Sequence, residues 1–120
     1  MLPLAFLRRQ VIKMKNENEI FEIISNAGDA YSFAFQALDA VEDKNYEEAE
    51  KLLAEGRKVI VKAHQTQTNL LFNECSEDSK SSSVSLLMVH SQDHLMNAML
   101  MLDLTEKMIA IFKSRDIEVV

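Results

Sequence analysis

Apolar residues recur three and four positions apart along most of the chain, which is the spacing of amphipathic α-helices. The first such helix is predicted from about Glu17 to Glu42. Its apolar face consists of Ile20, Ile23, Ile24, Ala27, Tyr31, Ala34, Leu38 and Val41. Gly28 lies within this pattern, where a glycine costs about 1 kcal/mol of helix stability relative to alanine. Either a neighbouring backbone approaches closely at Gly28 or the position has another use.

A second helix is predicted from Tyr46 to about Cys75, after the short break Asp43-Lys44-Asn45. Asn45 can cap this helix, and Glu48, three residues later, can reach back to the Asn45 amide. The apolar positions of the helix are Tyr46, Ala49, Leu52, Leu53, Val59, Ile60, Ala63, Leu70 and Leu71. Because the connection is short, the first two helices are expected to be antiparallel neighbours.

A third helix is predicted from around Val84, after a serine-rich stretch, Ser76 to Ser83, that we interpret as a solvated loop. One apolar stripe of this helix consists of Leu87, Leu95, Ala98, Leu102, Met108, Ile109 and Phe112. Further apolar residues lie off that stripe: Leu86, Met96, Met99, Leu100, Met101 and Leu104. A helix that is apolar around most of its circumference is normally buried on more than one side. Since two partner helices cannot cover it, the pattern predicts an obligate oligomer with this helix at the subunit interface.

The first fifteen residues differ from the rest of the chain. A short apolar piece, Leu2 to Leu7, precedes the basic residues Arg8, Arg9, Lys13 and Lys15. The piece is too short to span a membrane, and its charges follow the apolar residues, whereas those of a signal peptide precede them. We interpret residues 1–15 as a disordered extension or a mis-called start, with Met14 opening the natural chain. A membrane-surface anchor is the alternative.

Length and composition narrow the remaining possibilities. A chain of 120 residues has room for one domain, which we place at residues 16–116, with a tail at 117–120. Two glycines and one proline argue for an all-α fold and against sheets and phosphate-binding glycine loops. A net charge of −6 argues against a nucleic-acid partner. Cys75 is the single cysteine, which excludes an internal disulfide and fits a reducing compartment, so we expect a cytoplasmic protein.

The most apolar helix also carries a polar group, formed by His90, Gln92, Asp93, His94 and Asn97. Positions 90, 93, 94 and 97 are related by three, four and seven, so these side chains share one helix face and can meet. Burying them at an apolar interface costs free energy unless each finds a hydrogen bond, a metal or an opposite charge. The pattern therefore indicates a site whose polar groups require partners.

Several chemistries fit this polar group. His90 and His94 can ligate a transition metal, with Asp93 as a further ligand. Imidazole can serve as a general acid and base, although no linked serine, cysteine or glutamate motif supports hydrolysis. A neutral imidazole nitrogen can also accept a phosphoryl group. The spacing alone does not decide between these three chemistries. A fourth alternative is that the polar groups only set the register of a helical assembly.

A non-enzymatic helical adaptor is a further alternative. The segment from Tyr46 to Ile60 is similar in composition to the helical hairpins of trafficking and repeat domains. Such compositions are common in amphipathic helices, however, and an adaptor has no need for two histidines, an aspartate and a glutamine on its most buried helix.

Three segments resemble a single family. His90-Ser91-Gln92-Asp93-His94-Leu95-Met96 closely resembles the active-site helix of enzyme IIA of the lactose and cellobiose class in the bacterial phosphoenolpyruvate-dependent sugar phosphotransferase system. Ala27-Gly28-Asp29-Ala30 and the stretch from Ala63 to Thr68 are also similar to segments of that family, in the same order. The resemblance covers about Glu19 to Lys113 and is carried by three segments on three helices.

The resemblance implies an antiparallel three-helix bundle that assembles into a homotrimer and carries phosphoryl groups during disaccharide or β-glucoside uptake. His90 would accept the group from the histidine phosphocarrier protein and pass it to a cysteine of the IIB component, while the membrane IIC component moves the sugar. Asp93 would point to the three-fold axis, where three copies hold one divalent metal, magnesium by its preference for oxygen ligands. His94 and Gln92 would assist at the phosphoryl group.

The other two segments receive weaker assignments from the same resemblance. Gly28 would give space for close helix approach, and Asp29 would fix a neighbouring side chain. His64 and Gln67 would line the cleft across a subunit boundary, or alternatively form a polar layer between packed helices.

Overall fold

The structure is a computed structural model that describes residues 3–74 and 85–119. These residues form three helices, α1 (Leu4–Glu42), α2 (Tyr46–Glu74) and α3 (Leu86–Val119), which confirms the all-α prediction. The helices pack side by side into an elongated body of 76 × 22 × 19 Å. None of the three, over the described residues, is both long and apolar enough to cross a membrane.

Helix α1 begins at Leu4, well before the predicted start near Glu17. Pro3 has extended backbone angles and occupies the N-cap position, and its carbonyl accepts a hydrogen bond from the Leu7 amide at 3.2 Å. In the structure residues 4–15 are therefore helical, whereas the sequence analysis expected a disordered extension or a mis-called start. The physical reason is local: leucine, alanine, arginine, glutamine, lysine and methionine are good helix formers, and no glycine or proline follows Pro3 until Gly28.

The connection between α1 and α2 is tight, as predicted. Lys44 adopts a positive φ of 58°, and the amide of Asn45 donates to the Ala40 carbonyl at 2.9 Å. Asn45 caps α2, because its Oδ1 accepts the Glu48 amide at 3.2 Å. The reciprocal contact expected from the Glu48 side chain is not formed, since the Asn45 amide already has the Ala40 carbonyl as its partner.

The interior between the helices is lined by small side chains on α1 and larger ones on α2 and α3. The buried residues of α1 are Ile20, Ile23, Ala27, Ala30, Ala34, Ala37, Ala40 and Val41. The buried apolar residues of α2 and α3 are Ala49, Leu53, Ile60, Ala63, Leu70, Met88, Leu95, Ala98, Leu102 and Ile109. Alanines allow α1 to approach its neighbours closely. Tyr31, Leu71, Met108 and Phe112 were predicted to be apolar-face residues but are exposed.

Gly56 of α2 is the glycine at which the three helices meet, whereas the sequence pattern singled out Gly28. A Cβ atom on Gly56 would lie 2.8 Å from Leu102 Cδ2, 3.2 Å from Phe33 Cβ and 3.4 Å from the Ala30 carbonyl oxygen. A Cβ atom on Gly28 would meet nothing within 4 Å. The expected close approach at Gly28 is therefore wrong within the subunit.

Replacing Gly56 with valine should lower the free energy of unfolding by about 1–3 kcal/mol, because the added carbons overpack a closed site. The matched control is Gly28→Ala, which should leave that free energy unchanged or raise it by up to about 1 kcal/mol, since alanine is the better helix former. Urea denaturation of both variants at one protein concentration measures the difference. A Gly56→Val protein as stable as the unmodified chain would contradict the close three-helix contact.

Polar contacts along α2 and α3 show that these two helices run antiparallel. Near the start of α2 the Tyr46 hydroxyl donates to Asp116, close to the end of α3. Further along, Arg57 pairs with Asp103 at 2.7 Å and with Glu106 at 3.2 Å. The Asp116 hydrogen bond raises the pKa of the Tyr46 hydroxyl. Exposed ion pairs of this kind contribute little stability, so their main effect is to fix the alignment of the two helices.

Helix α3 begins at Leu86, two residues later than predicted, and the Ser85 hydroxyl accepts the Met88 amide at 3.1 Å. The helix continues to Val119, so residues 117–119 extend it and do not form a separate tail. The predicted serine-rich loop and Cys75 lie outside the described residues.

Candidate functional site

His90 and His94 lie on the outward side of α3 and contact each other. Ser91 and Leu95, each one position after a histidine, are fully buried, which turns the two imidazoles away from the core. Their Nε2 atoms are 3.1 Å apart, and the rings meet edge to face with centroids 4.5 Å apart. The prediction that residues four apart on this helix would meet is thus confirmed for the two histidines.

The short contact between the imidazoles restricts which of their ring nitrogens carry a proton. Two protonated Nε2 atoms cannot share a 3.1 Å contact, so the contact is a hydrogen bond when one ring donates its N–H and the other presents its lone pair. A ring that accepts at Nε2 carries its own proton on Nδ1. The pair therefore holds one nucleophilic nitrogen beside one N–H donor, at the exposed surface of the helix.

Gln92 faces α2 and is held by an amide contact. The Gln67 side-chain nitrogen donates to the Gln92 side-chain oxygen, and both residues are half-buried. Sequence reasoning connected Gln67 with His64, but His64 is exposed and its carbonyl accepts from the Thr68 hydroxyl at 3.0 Å. The pairing of Gln67 with Gln92 left no signal in the sequence, because it depends on the register between α2 and α3.

Asp93 is exposed and makes no hydrogen bond or ion pair with the residues that the structure describes. Nor do the described residues bring together any group of three or more histidine, cysteine, aspartate or glutamate side chains able to hold a metal. His90, His94 and Asp93 therefore do not form a three-ligand site within one subunit.

A shallow groove of about 440 Å³ runs between α1 and α3 beside His94. It is lined by Ala27, Gly28, Tyr31, His94, Asn97, Leu100, Met101 and Leu104. Gly28 has no side chain, so the α1 wall of the groove stays open at residue 28. The segment around Gly28 and the segment around His94, which the sequence analysis did not assign to a common site, thus border the same groove.

Comparison with known proteins decides the family. The family model described as "PTS system, Lactose/Cellobiose specific IIA subunit" matches residues 18–113, which is most of the chain. The chain belongs to this IIA family. It is therefore a component of the sugar phosphotransferase system, as the resemblance of its three segments implied.

Individual relatives agree with this assignment. The IIA chain is 41% identical over 93 residues to the lactose-specific EIIA component of Staphylococcus epidermidis, covering 78% of this chain and 88% of that protein. The cellobiose-specific enzyme IIA of Bacillus anthracis superposes with a TM-score of 0.77 at 34% identity, covering 84% and 91% of the two chains. The IIA(chitobiose) protein of Escherichia coli, solved in complex with HPr, gives a TM-score of 0.74 at 30% identity, covering 84% and 96%.

The IIA chain also has an exposed apolar stripe on α3, as the sequence predicted. Its members, Met96, Leu100, Leu104, Met108 and Ile111, recur at three- and four-residue spacing and are 38 to 58% exposed. Asp93 lies on the same side, one turn before Met96. Met99 and Met101, which were predicted to belong to the uncovered surface, are half-buried and pack against the core. The stripe is thus a continuous apolar surface that one subunit leaves open.

Proposed function

We propose that this IIA protein is a phosphoryl carrier whose acceptor is His90. In this proposal it receives the group from the histidine phosphocarrier protein and passes it to a cysteine of the IIB component during uptake of a disaccharide or β-glucoside through the membrane IIC component. The transfer takes place in the cytoplasm. The observation that supports it most is the 3.1 Å contact between the Nε2 atoms of His90 and His94 on an exposed face of α3.

The transfer step follows from the protonation of that pair. With the proton of His94 on Nε2, the Nε2 atom of His90 has a free lone pair. This lone pair forms a new N–P bond while the N–P bond to the donor histidine breaks, and the donor nitrogen keeps that electron pair. The His94 N–H loses its imidazole acceptor and can donate instead to an oxygen of the transferred group, which lies at the same place. Delivery to IIB reverses these changes, with a thiolate as the attacking atom.

The position of the pair suits brief contacts with two partners in turn. His90 is exposed, and the groove beside His94 offers a shallow apolar surface with polar edges. The Escherichia coli relative, which covers 84% of this chain, was solved bound to HPr. That complex supports the histidine phosphocarrier protein as the donor.

We further propose that three copies assemble around the exposed α3 stripe. The members of the stripe, from Met96 to Ile111, lie along one side of α3, so a parallel three-fold contact can cover all of them at once. An exposed apolar surface of this length normally marks an interface. The assembly proposed here agrees with the homotrimer that the resemblance implied.

Asp93 is the residue that would hold a metal in such an assembly. One carboxylate per subunit is too few for a site, but three copies near a three-fold axis would supply three oxygen donors, which suit magnesium. Asp93 fits this role because it is exposed, has no partner among the described residues of its own chain and lies on the same side as the apolar stripe. The metal would supply positive charge that removes the repulsion between three carboxylates. His90 carries the phosphoryl group separately.

Replacing Asp93 with asparagine should make the thermal stability of the assembly independent of magnesium. In the unmodified protein we expect removal of divalent ions by EDTA to lower the melting temperature by several degrees, and magnesium to restore it, since binding to the folded state stabilises it. The asparagine side chain of the Asp93→Asn variant has no charge to neutralise, so the same titration should leave the melting temperature of that variant unchanged. An equal response of both proteins would contradict an ion held by Asp93.

The proposed function is tested by incubating the purified chain with phosphoenolpyruvate, enzyme I and the histidine phosphocarrier protein. We expect one phosphoryl group per subunit by intact mass, which is lost in acid, as a phosphohistidine is, and which moves to a IIB protein on addition. An unphosphorylated but folded chain would overturn the proposal and leave a helical adaptor as the better interpretation.

A further inference from the structure

The first turns of α1 form a helical arm that contributes nothing to the core. We define the N-terminal arm as residues 4–15. The first buried residue of α1 is Ile20, and at 1.5 Å per residue Leu4 lies about 24 Å before it. The IIA family model begins only at residue 18. The arm is therefore an addition to the shared domain, and the phosphoryl-carrier proposal gives it no role.

The arm has an apolar stripe formed by Leu4, Leu7, Val11 and Met14. The members of this stripe recur three and four residues apart and are 45 to 65% exposed. Val11 precedes Ile20 by nine residues, which is about two and a half helical turns. The stripe consequently points to the side of α1 opposite its core face, and α2 and α3 of the same chain cannot cover it.

The charge of the arm has the opposite sign to that of the rest of the protein. Arg8, Arg9, Lys13 and Lys15 give it four positive charges, and no acidic residue precedes Glu17. The remainder of the chain has 9 basic against 19 acidic residues. At physiological ionic strength charges are screened over about 8 Å, a distance much shorter than the arm. The outer turns of the arm therefore present a positive surface that the acidic bundle does not neutralise.

We propose that the N-terminal arm binds the surface of an anionic lipid bilayer. Leucine, valine and methionine side chains enter the boundary between headgroups and acyl chains, and the arginines and lysines contact the negative headgroups; both features are typical of helices that lie in a membrane interface. Each basic residue near such a surface strengthens binding about fivefold. This inference does not rest on the proposed function, because the arm and His90 lie in different parts of the molecule.

Charge also argues against a second copy of the chain as the occupant of this stripe. Packing the stripes of two or three arms together would bring four positive charges from each copy into one short segment. The arm has no acidic side chain with which to pair them, and like charges at close range are unfavourable. An anionic bilayer, by contrast, offers negative headgroups to the basic residues and acyl chains to the apolar residues.

The test is co-sedimentation of the full chain with vesicles. We expect binding to vesicles of mixed phosphatidylglycerol and phosphatidylcholine at low salt, weaker binding at high salt, and none to phosphatidylcholine alone. Arg8→Glu combined with Arg9→Glu should reduce the affinity about twenty-five-fold or more, since each lost basic residue contributes about fivefold. Lys58→Glu combined with Lys62→Glu, the same charge change on α2, should leave binding far less affected.

The apolar contribution is tested with a matched pair of valines. Val11 and Val61 are 65% and 53% exposed, the first in the arm and the second on α2. Val11→Asp should weaken vesicle binding about tenfold, because the variant loses the free energy of burying one valine side chain. Val61→Asp should not weaken it. Circular dichroism and phosphorylation by the histidine phosphocarrier protein show separately that the variants are folded and whether the carrier function holds.

Three outcomes would overturn the proposal. The first is absence of binding to anionic vesicles by the unmodified chain. The second is equal binding to neutral vesicles, or binding that the arm variants do not change. The third is a fall in the particle mass of Val11→Asp by light scattering, with no such fall for Val61→Asp, since that result would make the stripe a contact between copies of the chain.

Discussion

Replacing His90 with glutamine should abolish phosphorylation of the chain by the histidine phosphocarrier protein, with a loss of rate on the order of a thousandfold or more. Glutamine keeps a polar group of similar reach but has no nitrogen lone pair that can form an N–P bond. His90 is exposed and its main contact is with His94, so the fold should be unaffected. Intact mass after incubation with the complete donor system measures the effect.

The other two histidines provide the controls. His94→Ala should retain phosphorylation at a rate lower by about a hundredfold, the typical cost of losing one hydrogen-bond donor to the transferred group. His64→Gln should behave as the unmodified chain, because His64 is exposed on α2 and takes no part in the histidine pair. A phosphorylated His90→Gln protein, or loss of phosphorylation in His64→Gln, would assign the acceptor to another residue.

Replacing Leu100 with aspartate should convert the proposed trimer into monomers. Leu100 is 58% exposed in the single subunit, so covering it would remove much of a leucine side chain from water. Losing that burial costs about 1–2 kcal/mol per subunit, and an unpaired carboxylate in an apolar contact costs more. Because each of three copies would carry the change, the effects combine. Light scattering after size exclusion measures the particle mass.

The matched control for this prediction is Val61→Asp. Val61 is 53% exposed, which is close to the value for Leu100, but it lies on α2 and outside the α3 stripe. The Val61→Asp variant should therefore have the same particle mass as the unmodified protein. Circular dichroism establishes that Leu100→Asp remains helical, which we expect because the α3 stripe does not belong to the core of the subunit. A Leu100→Asp protein of unchanged mass would contradict assembly through the stripe.

The helices were predictable because their signals are local. The three- and four-residue spacing identifies the core face of each helix, and Asn45 marks the start of α2 through a contact that spans three residues. The start of α1 was missed because the apolar stripe of the arm, Leu4, Leu7, Val11 and Met14, lies on a different side of the helix from the core face. Residues 4–15 form a helix because of their helix propensity. The apolar face that was used to predict α1 therefore gave no indication of its start.

The contacts of the candidate site also fall into two kinds, those within one helix and those between helices. The contact of His90 with His94 follows from the geometry of one helix, so the spacing of four residues was enough to predict it. The contact of Gln67 with Gln92 joins two helices, and the groove beside His94 joins α1 to α3. Neither could be derived from spacing, since each depends on how far one helix is shifted and rotated against another.

Reading the residues in order was sufficient to predict three helices, their antiparallel connection, the facing histidines, the apolar surface of α3 and the family. Each of these depends on residues close together in the chain or on short segments that can be compared directly. The roles of the two glycines required the packed helices: Gly56 lies at the three-helix contact, and Gly28 opens a groove. Glycine has no side chain that reports its surroundings, so its role appears only when the neighbouring helices are in place.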